Sequence, residues 1–348
     1  MNDFQRYLAE EFAEDYQEGR ISRREALKLI ASVTGSVVVA GSILAACAPV
    51  ETPTEAGIIP TTGAGTSPTA TEAQATAAQA AAASPTAEPP VSASATPEEQ
   101  AGTSQTPQVS GTVSADDPAV SAGPVEFPGA DGATLLGYQA RPQGDGLFPV
   151  VLVCHENRGL TPHIQDVTRR LAKAGYAALA VDLLSRQGGV SKFSSDDVPG
   201  ALGQTPPEQF VQDFLSGWNY LKTQNFAQPE RVGMVGFCFG GGVTWRMAVG
   251  MPELRAAVPF YGPHPPVEDV PKIQAAVLAI YGGNDTRINS GIPVIEEAMQ
   301  ANQKTYEKVI YEGADHAFHN DTSPRYHPEA ARDAWGRTLA WFEQYLKA

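Results

Sequence analysis

The sequence is poor in positive charge, with 24 Lys and Arg residues against 39 Asp and Glu, and it carries a formal net charge of −15 at pH 7. No segment forms a basic stripe of the kind that follows a phosphate backbone. The chain also lacks a Walker loop and the G-x-G-x-x-G fingerprint of dinucleotide-binding proteins. We therefore expect neither a nucleic-acid partner nor a cofactor.

Cysteine is also scarce, with three residues in 348. Three thiols do not make a disulfide scaffold. Cys154 ends the apolar run Val150–Cys154, which predicts a buried strand, whereas Cys47 and Cys238 lie in segments of special composition.

Residues 47–122 contain no Lys or Arg and few large apolar side chains, and Ala, Thr, Ser, Pro, Gly and Gln predominate. Such a segment cannot bury enough apolar surface to offset the entropy lost on ordering. It therefore predicts a disordered tether ahead of a folded domain at residues 123–348, which is long enough for one core.

Residues 1–46 have the organisation of an export signal. The paired Arg23 and Arg24 precede a run from Leu29 to Ala46 that has no charge. The pair resembles a twin-arginine signal, and Leu44–Cys47 resembles a bacterial lipobox, which implies a lipid on Cys47. We expect a lipoprotein anchored to the outer face of the cytoplasmic membrane. An uncleaved membrane anchor is the alternative, because the run is close to the lower limit for spanning a bilayer.

Apolar runs alternate with helical patterns throughout the folded part. The runs at 150–154, 177–181 and 275–281 read as buried strands, and 162–174 and 207–223 read as helices. This alternation predicts an α/β fold with a mostly parallel, doubly wound sheet and helices on both faces.

The segment Gly236-Phe237-Cys238-Phe239-Gly240 follows the apolar run 232–235 and precedes a helix-compatible segment. This is the strand–turn–helix context of a nucleophile elbow, with cysteine in place of serine. The glycines leave room for a tight turn, and the helix N-terminus favours a thiolate at Cys238. A glycine-rich turn around an inert buried cysteine is the alternative.

An acid and a histidine follow two later strand runs. Asp285 comes after the run 275–281 and His316 after the run 308–311, so the chain order is nucleophile, acid, base. That order is the one found in α/β-hydrolases. We predict that His316 takes the thiol proton and that Asp285 orients the imidazole.

The loop His155–Gly159 directly follows the strand ending at Cys154. In this architecture such a loop supplies one oxyanion-hole N–H, and the residue after the nucleophile supplies the other. We assign these donors to Asn157 and Phe239, and we interpret His155 as a packing residue.

The region from about residue 124 to 346 resembles the dienelactone hydrolase (carboxymethylenebutenolidase) family. The matching motifs are G-F-C-F-G-G-G at 236–242, N-D at 284–285, D-H-A-F at 315–318, H-E-N-R-G at 155–159 and D-L-L-S-R-Q at 182–187. The resemblance implies that Glu156 holds the thiol proton in the resting enzyme and that Arg186 binds a substrate carboxylate. The second carboxylate-binding arginine of the family is replaced by Asn320, and Arg325 is a candidate substitute.

These features together predict an α/β-hydrolase that cleaves a small ester or lactone through a cysteinyl acyl-enzyme. A thioesterase or acyltransferase with the same triad is one alternative, and a binding lipoprotein on a hydrolase fold is another. We expect a monomer. We also expect no metal site, because the H-x-x-H spacing of His316 and His319 lacks the helical glutamate of a metalloprotease.

Overall fold

Eight strands form one sheet in the computed structural model, which describes residues 1–46 and 111–347. The strands are β1 (Val120–Pro128), β2 (Thr134–Pro142), β3 (Phe148–Cys154), β4 (Ala177–Val181), β5 (Ala227–Phe237), β6 (Ala256–Phe260), β7 (Ala276–Gly282) and β8 (Tyr306–Tyr311). Their order across the sheet is β1-β2-β4-β3-β5-β6-β7-β8. Strands β3 to β8 are parallel, and β1 and β2 add an antiparallel edge. The predicted fold class is confirmed.

Ten α-helices accompany the sheet in the described part of the chain. They are α1 (Asp3–Gln17), α2 (Arg23–Thr34), α3 (Val37–Ala46), α4 (Pro162–Lys173), α5 (Val198–Gln204), α6 (Pro207–Leu221), α7 (Phe239–Gly250), α8 (Thr286–Asn289), α9 (Ile292–Ala301) and α10 (Pro328–Phe342). Helices α6 and α7 pack against each other on one face of the sheet. On the other face, Tyr176, which follows α4, contacts Phe342 of α10.

The folded domain begins earlier than residue 123, the boundary expected from composition. Strand β1 starts at Val120, and Val113 is already buried. The N–H of Val113 donates to Asp166 Oδ1 at 2.7 Å, and its carbonyl accepts from Arg169 Nε at 2.6 Å. These two partners on α4 therefore hold residues that composition placed in the tether. The rest of the predicted tether, including Cys47, lies outside the described residues.

The predicted export segment forms three helices. A capping box between Asn2 and Gln5 starts α1, and Ser22 caps α2. Gly35, with φ at 72°, ends α2 and divides the uncharged run between α2 and α3. None of the helices in the described ranges is long and apolar enough to cross a membrane.

Helix α1 packs on the domain, which the sequence analysis did not anticipate. Phe4 lies against Phe210 of α6 and Phe239 of α7, with ring centroids 5.6 and 4.7 Å away. Leu8 and Phe12 are also buried, so one whole face of α1 belongs to the core. The helix thereby comes to rest at the carboxyl end of β5.

Candidate active site

Cys238 lies at the tip of the turn between β5 and α7, as predicted. Its backbone has φ 57° and ψ −121°, a conformation that non-glycine residues rarely adopt. A Cβ on Gly236 would lie 2.2 Å from the carbonyl oxygen of Gly240, and one on Gly240 would lie 2.5 Å from the carbonyl oxygen of His155. The turn therefore requires both glycines, and it presents the thiol at the first turn of α7.

The structure brings the three predicted triad residues together. Asp285 follows β7 and caps α8, and His316 lies in the loop after β8. Asp285 Oδ2 is 2.5 Å from His316 Nδ1. A ring nitrogen of His316 lies within 4.8 Å of Cys238 Sγ. The side chains thus form the series thiol, imidazole, carboxylate that proton transfer requires.

The electrostatics of the pair favour the charged imidazole that forms when His316 takes the thiol proton. Burial opposes the charge on His316, but Asp285 and Cys238 outweigh burial and raise its pKa well above the ordinary value. Burial likewise opposes the charge on Asp285, yet His316 and Arg287 lower the pKa of this carboxyl overall. Asp285 is therefore an anion that holds the Nδ1 proton and stabilises the imidazolium.

The loop after β3 supplies the remaining polar groups. Glu156 is buried and accepts a hydrogen bond from Asn320 Nδ2 at 2.6 Å. Burial raises the pKa of Glu156 to about 7, although Asn320 opposes the shift. Asn320 thus anchors Glu156 where the family resemblance implied an arginine. His155 is fully buried and accepts from the N–H of Leu183 at 3.4 Å, as expected of a packing residue.

Asn157 and Phe239, the predicted oxyanion-hole donors, lie on the two sides of the elbow. Phe239 is the first residue of α7, directly after Cys238, and Asn157 is buried in the loop after β3. The side-chain amide of Asn157 donates to Glu11 Oε1 at 3.0 Å. The loop and the elbow therefore converge beside the thiol.

Arg186 is paired with two aspartates that are not part of the triad. Its Nε and Nη2 form a bidentate pair with Asp131 at 3.1 and 2.9 Å, and Nη1 donates to the buried Asp213 of α6. All three guanidinium nitrogens are thus occupied by the β1–β2 turn and α6. In this structure Arg186 joins structural elements, and its binding of a substrate carboxylate stays a prediction.

Two other arginines lie at the site. Arg325 donates to Asp15 of α1 at 3.1 Å. Burial opposes the charge of Arg325, but Asp15, Glu11 and, to a smaller extent, Cys238 raise its pKa overall. Arg287 follows Asp285 by two residues and donates to Glu14 of α1 at 2.9 Å. Sequence reasoning proposed Arg325 and missed Arg287, although its place just past a strand end could have suggested it.

Helix α1 supplies two side chains that contact the nucleophile. The hydroxyl of Tyr7 donates to Cys238 Sγ at 3.2 Å, and the thiol lies 3.6 Å from both carboxylate oxygens of Glu11. Burial raises the pKa of Cys238, and the charge of Glu11 raises it further, whereas His316 lowers it. The helical spacing of Phe4, Tyr7 and Glu11 is the signal in the sequence that could have indicated this contact.

Glu11, Cys238 and His316 are also the one group in the described residues whose ligand atoms lie within 4.8 Å of one another in an arrangement that could hold a metal ion. Thiolate, imidazole and carboxylate are ligands that Zn²⁺ takes. His319 is not part of this group, because its ring lies between Phe237 and Trp335 and burial lowers its pKa to about 3.

A mostly parallel sheet with a cysteine elbow and an acid–histidine pair at its carboxyl edge defines an α/β-hydrolase. Within that class, residues 135–346 match the dienelactone hydrolase family, and the chain belongs to this family.

The relatives agree with this assignment. A protein from Methylorubrum extorquens, assigned as a carboxymethylenebutenolidase, is 39% identical over 251 residues, which cover 67% of this chain and 84% of that protein. A protein from Escherichia coli strain K12 with the same assignment is 36% identical over 257 residues, covering 69% and 93% of the two chains. The chain is an ester or lactone hydrolase by family.

Solved structures give the same result. The crystal structure assigned as a dienelactone hydrolase from Klebsiella pneumoniae has a TM-score of 0.61 and 35% identity, and the match covers 65% of this chain and all of that one. A dienelactone hydrolase-like promiscuous phosphotriesterase from metagenomic libraries has a TM-score of 0.57 at 23% identity, a likeness in fold alone.

Proposed function

We propose that the protein hydrolyses a small ester or lactone through a thioester on Cys238. The observation that carries the proposal is the geometry of the triad, in which Asp285 holds His316 within reach of a thiol at a strained elbow. Family membership supplies the class of reaction, and the elbow supplies the nucleophile. No cofactor enters the proposed steps.

The reaction follows from the positions of these groups. His316 takes the thiol proton, and the sulfur attacks the carbonyl carbon of the substrate. The resulting oxyanion receives hydrogen bonds from the N–H groups of Asn157 and Phe239. The intermediate then collapses, and His316 returns the proton to the departing alkoxide oxygen. In the second half, His316 takes a proton from water, hydroxide attacks the thioester, and the acid leaves as the thiol is restored.

The experiment is to trap the acyl-enzyme. The Glu14→Lys protein, which lacks the ion pair between α1 and Arg287, is allowed to react with a panel of lactones and aryl esters and is quenched in acid. Peptide mapping should find the acyl mass on the peptide that contains Cys238. Acylation with faster transfer to an added alcohol than to water would show a transferase instead. Ligand binding that survives Cys238→Ala, with no acylation by any ester, would show a binding protein and contradict the proposal.

A prediction on substrate charge follows from Arg325. Asn320 is hydrogen-bonded to Glu156, so we assign the carboxylate-binding role to Arg325. Arg325 lies near the nucleophile, since the charge of Cys238 is one of the causes that raise the pKa of Arg325. A charge-assisted hydrogen bond contributes about 1.5–3 kcal/mol, so Arg325→Ala should lower kcat/KM for a carboxylated lactone roughly tenfold to a hundredfold. The measurement compares that lactone with its methyl ester, whose kcat/KM should change little. Both proteins also carry Glu14→Lys, which removes the ion pair between α1 and Arg287, so that they are compared with the site open.

The control for this prediction is Arg186→Ala, whose guanidinium the structure places against Asp131 and Asp213. It should lower thermal stability and leave the preference between the two substrates unchanged. A preference that follows Arg186 rather than Arg325 would contradict the assignment.

We further propose that the protein is exported and anchored by a lipid on Cys47. The support is the sequence: paired arginines, an uncharged run and Leu-Ala-Ala-Cys. Mass spectrometry of the membrane fraction from a bacterial host should find a chain that begins at a diacylated Cys47, and Cys47→Ala should leave the segment 1–46 attached. A soluble full-length chain in both cases would contradict the proposal.

A further inference from the structure

The mouth of the active site is complementary to one face of α1. At the amino end of this face, Phe4 packs on Phe210 and Phe239, whose rings also contact each other. One turn further along, the ring of Tyr7 lies under the guanidinium of Arg287, 4.7 Å from its centroid. Aromatic side chains that enter such pockets dominate the binding energy of helix-in-groove complexes.

The charged side chains of α1 and of the domain are also complementary. Three arginines of the domain meet three carboxylates of α1: Arg246 with Asp3 at 2.8 Å, Arg287 with Glu14 at 2.9 Å, and Arg325 with Asp15 at 3.1 Å. These pairs extend from one end of the helix to the other. The domain thus presents a positive rim around an aromatic pocket, and α1 presents the opposite pattern.

Glu11 lies at the centre of this interface. Its carboxylate fills the position beside the thiol where a substrate carbonyl would have to bind. Its carboxylate lies 3.6 Å from Cys238 Sγ and accepts from Asn157 at 3.0 Å. With Tyr7 on the sulfur as well, Cys238 is only 3% exposed and His316 only 4%. An ester cannot reach the sulfur while α1 is in place.

The contacts do not fit a catalytic role for α1. A carboxylate beside the thiol raises the pKa of Cys238 and so disfavours the thiolate that attacks. The hydroxyl of Tyr7 holds the sulfur in addition. Both side chains therefore oppose the chemistry that the triad is arranged to perform.

We propose that the mouth of the active site is a binding site for an acidic helix with aromatic anchors, and that α1 is its ligand within the same chain, closing the site. The proposal takes from the proposed function only the role of Cys238 as the nucleophile. If the chain is cleaved before Cys47, α1 is separated from the domain and the site opens. Closure by α1 would then keep the hydrolase inactive until processing.

The test measures access to Cys238 in the full-length chain. Iodoacetamide alkylation is followed by peptide mapping, which separates Cys238 from Cys154 and Cys47. Glu14→Lys sets a positive charge against Arg287 and should accelerate alkylation of Cys238 about tenfold or more, since breaking a desolvated charge pair mainly speeds dissociation. Chelator is present throughout, so that a metal ion among Glu11, Cys238 and His316 does not contribute to closure.

The matched control is Glu10→Lys, the same change on the exposed side of α1. It should leave the alkylation rate at the wild-type value. Equal rates in wild type, Glu14→Lys and Glu10→Lys would overturn the proposal, as would equal acceleration by both variants.

A second variant guards against misfolding of the first. Phe4→Ala removes the ring that packs on Phe210 and Phe239 and leaves the triad unchanged, and it should also accelerate alkylation. If Glu14→Lys does not unfold cooperatively, the test rests on the rate of Cys238 alkylation in Phe4→Ala. An alkylation rate equal to that of the wild type would then overturn the proposal.

A peptide tests the site as a binding site. A synthetic peptide of residues 1–21, added to the Glu14→Lys protein, should slow alkylation in a saturable way, and the same peptide with Glu14→Lys should do so less well. Equal effects of both peptides, or none, would overturn the proposal. Alkylation does not depend on ester turnover. Accelerated alkylation without hydrolysis of any ester would therefore support the helix site and count against the proposed reaction.

Discussion

Replacing Cys238 by alanine is expected to abolish turnover. The thiol is the only nucleophile that the elbow presents to His316, and the strained φ of 57° at this residue has no role without it. Removing one member of a triad typically lowers kcat by about 10⁴–10⁶. The measurement is ester hydrolysis by Cys238→Ala and by the parent chain, each carrying Glu14→Lys so that both are compared in the open form.

The matched control is Cys154→Ala. Cys154 ends β3 and is fully buried, and burial raises the pKa of its thiol well above the ordinary value, so it remains an inert thiol. Its loss should cost some stability, through a small cavity, and leave most of the activity. If Cys154→Ala is the inactive variant and Cys238→Ala the active one, the assignment of the elbow is wrong.

The triad was predictable because its chemistry is tied to local sequence. Gly236 and Gly240 are required by backbone contacts across the turn, and a turn of that kind has few sequence solutions. Asp285 and His316 follow strands directly, and the carboxyl ends of parallel strands meet at one edge of a sheet. Local pattern and topology therefore fixed which side chains converge.

The remainder depends on contacts between distant segments. Arg186 matches a family motif, but its guanidinium forms ion pairs with Asp131 and Asp213, which lie in distant parts of the sequence. A motif shows that an arginine is present, whereas its partners decide where the guanidinium points. For the same reason, the sequence shows only that Asn320 replaces an arginine of the family. The contact between Asn320 and Glu156 is visible only in the structure.

Helix α1 was missed for a different reason. Its acidic composition and its place before paired arginines are typical of the start of an export signal, for which no packed face is expected. The period of Phe4, Leu8 and Phe12 is helical, and the carboxylates of Glu11, Glu14 and Asp15 follow on the same side. The pattern predicts a helix that buries one face against another part of the protein. Only the structure shows that this part is the active site.

In a chain that also carries Glu14→Lys, replacing Asp285 by asparagine is expected to lower kcat by about 10⁴. In other triads the same change leaves the shape intact but presents the wrong hydrogen-bonding group to the histidine. Asp285 Oδ1 also accepts the N–H of Ile288, a cap that asparagine retains. The matched control is Asp315→Asn, next to His316 in the chain, whose carboxylate binds Asn284 instead. Asp315→Asn should keep kcat within a few fold, and an equal loss in both variants would show that the site responds to local disruption rather than to Asp285.

The pH dependence of stability gives a second measurement on the same pair. His316, whose pKa is raised in the folded state, contributes stability that is fully present below its unfolded value of about 6.5 and is lost as pH rises through the raised value. Asp285, whose pKa is lowered, contributes stability that is present above about pH 4 and is lost as pH falls through the folded value. The free energy of unfolding should therefore differ most between wild type and Asp285→Asn from about pH 4 to 6.5. Urea unfolding at about pH 5.5 and 9 checks this: the difference should be smaller at the higher pH, and a difference that stays constant or grows would contradict the charged pair.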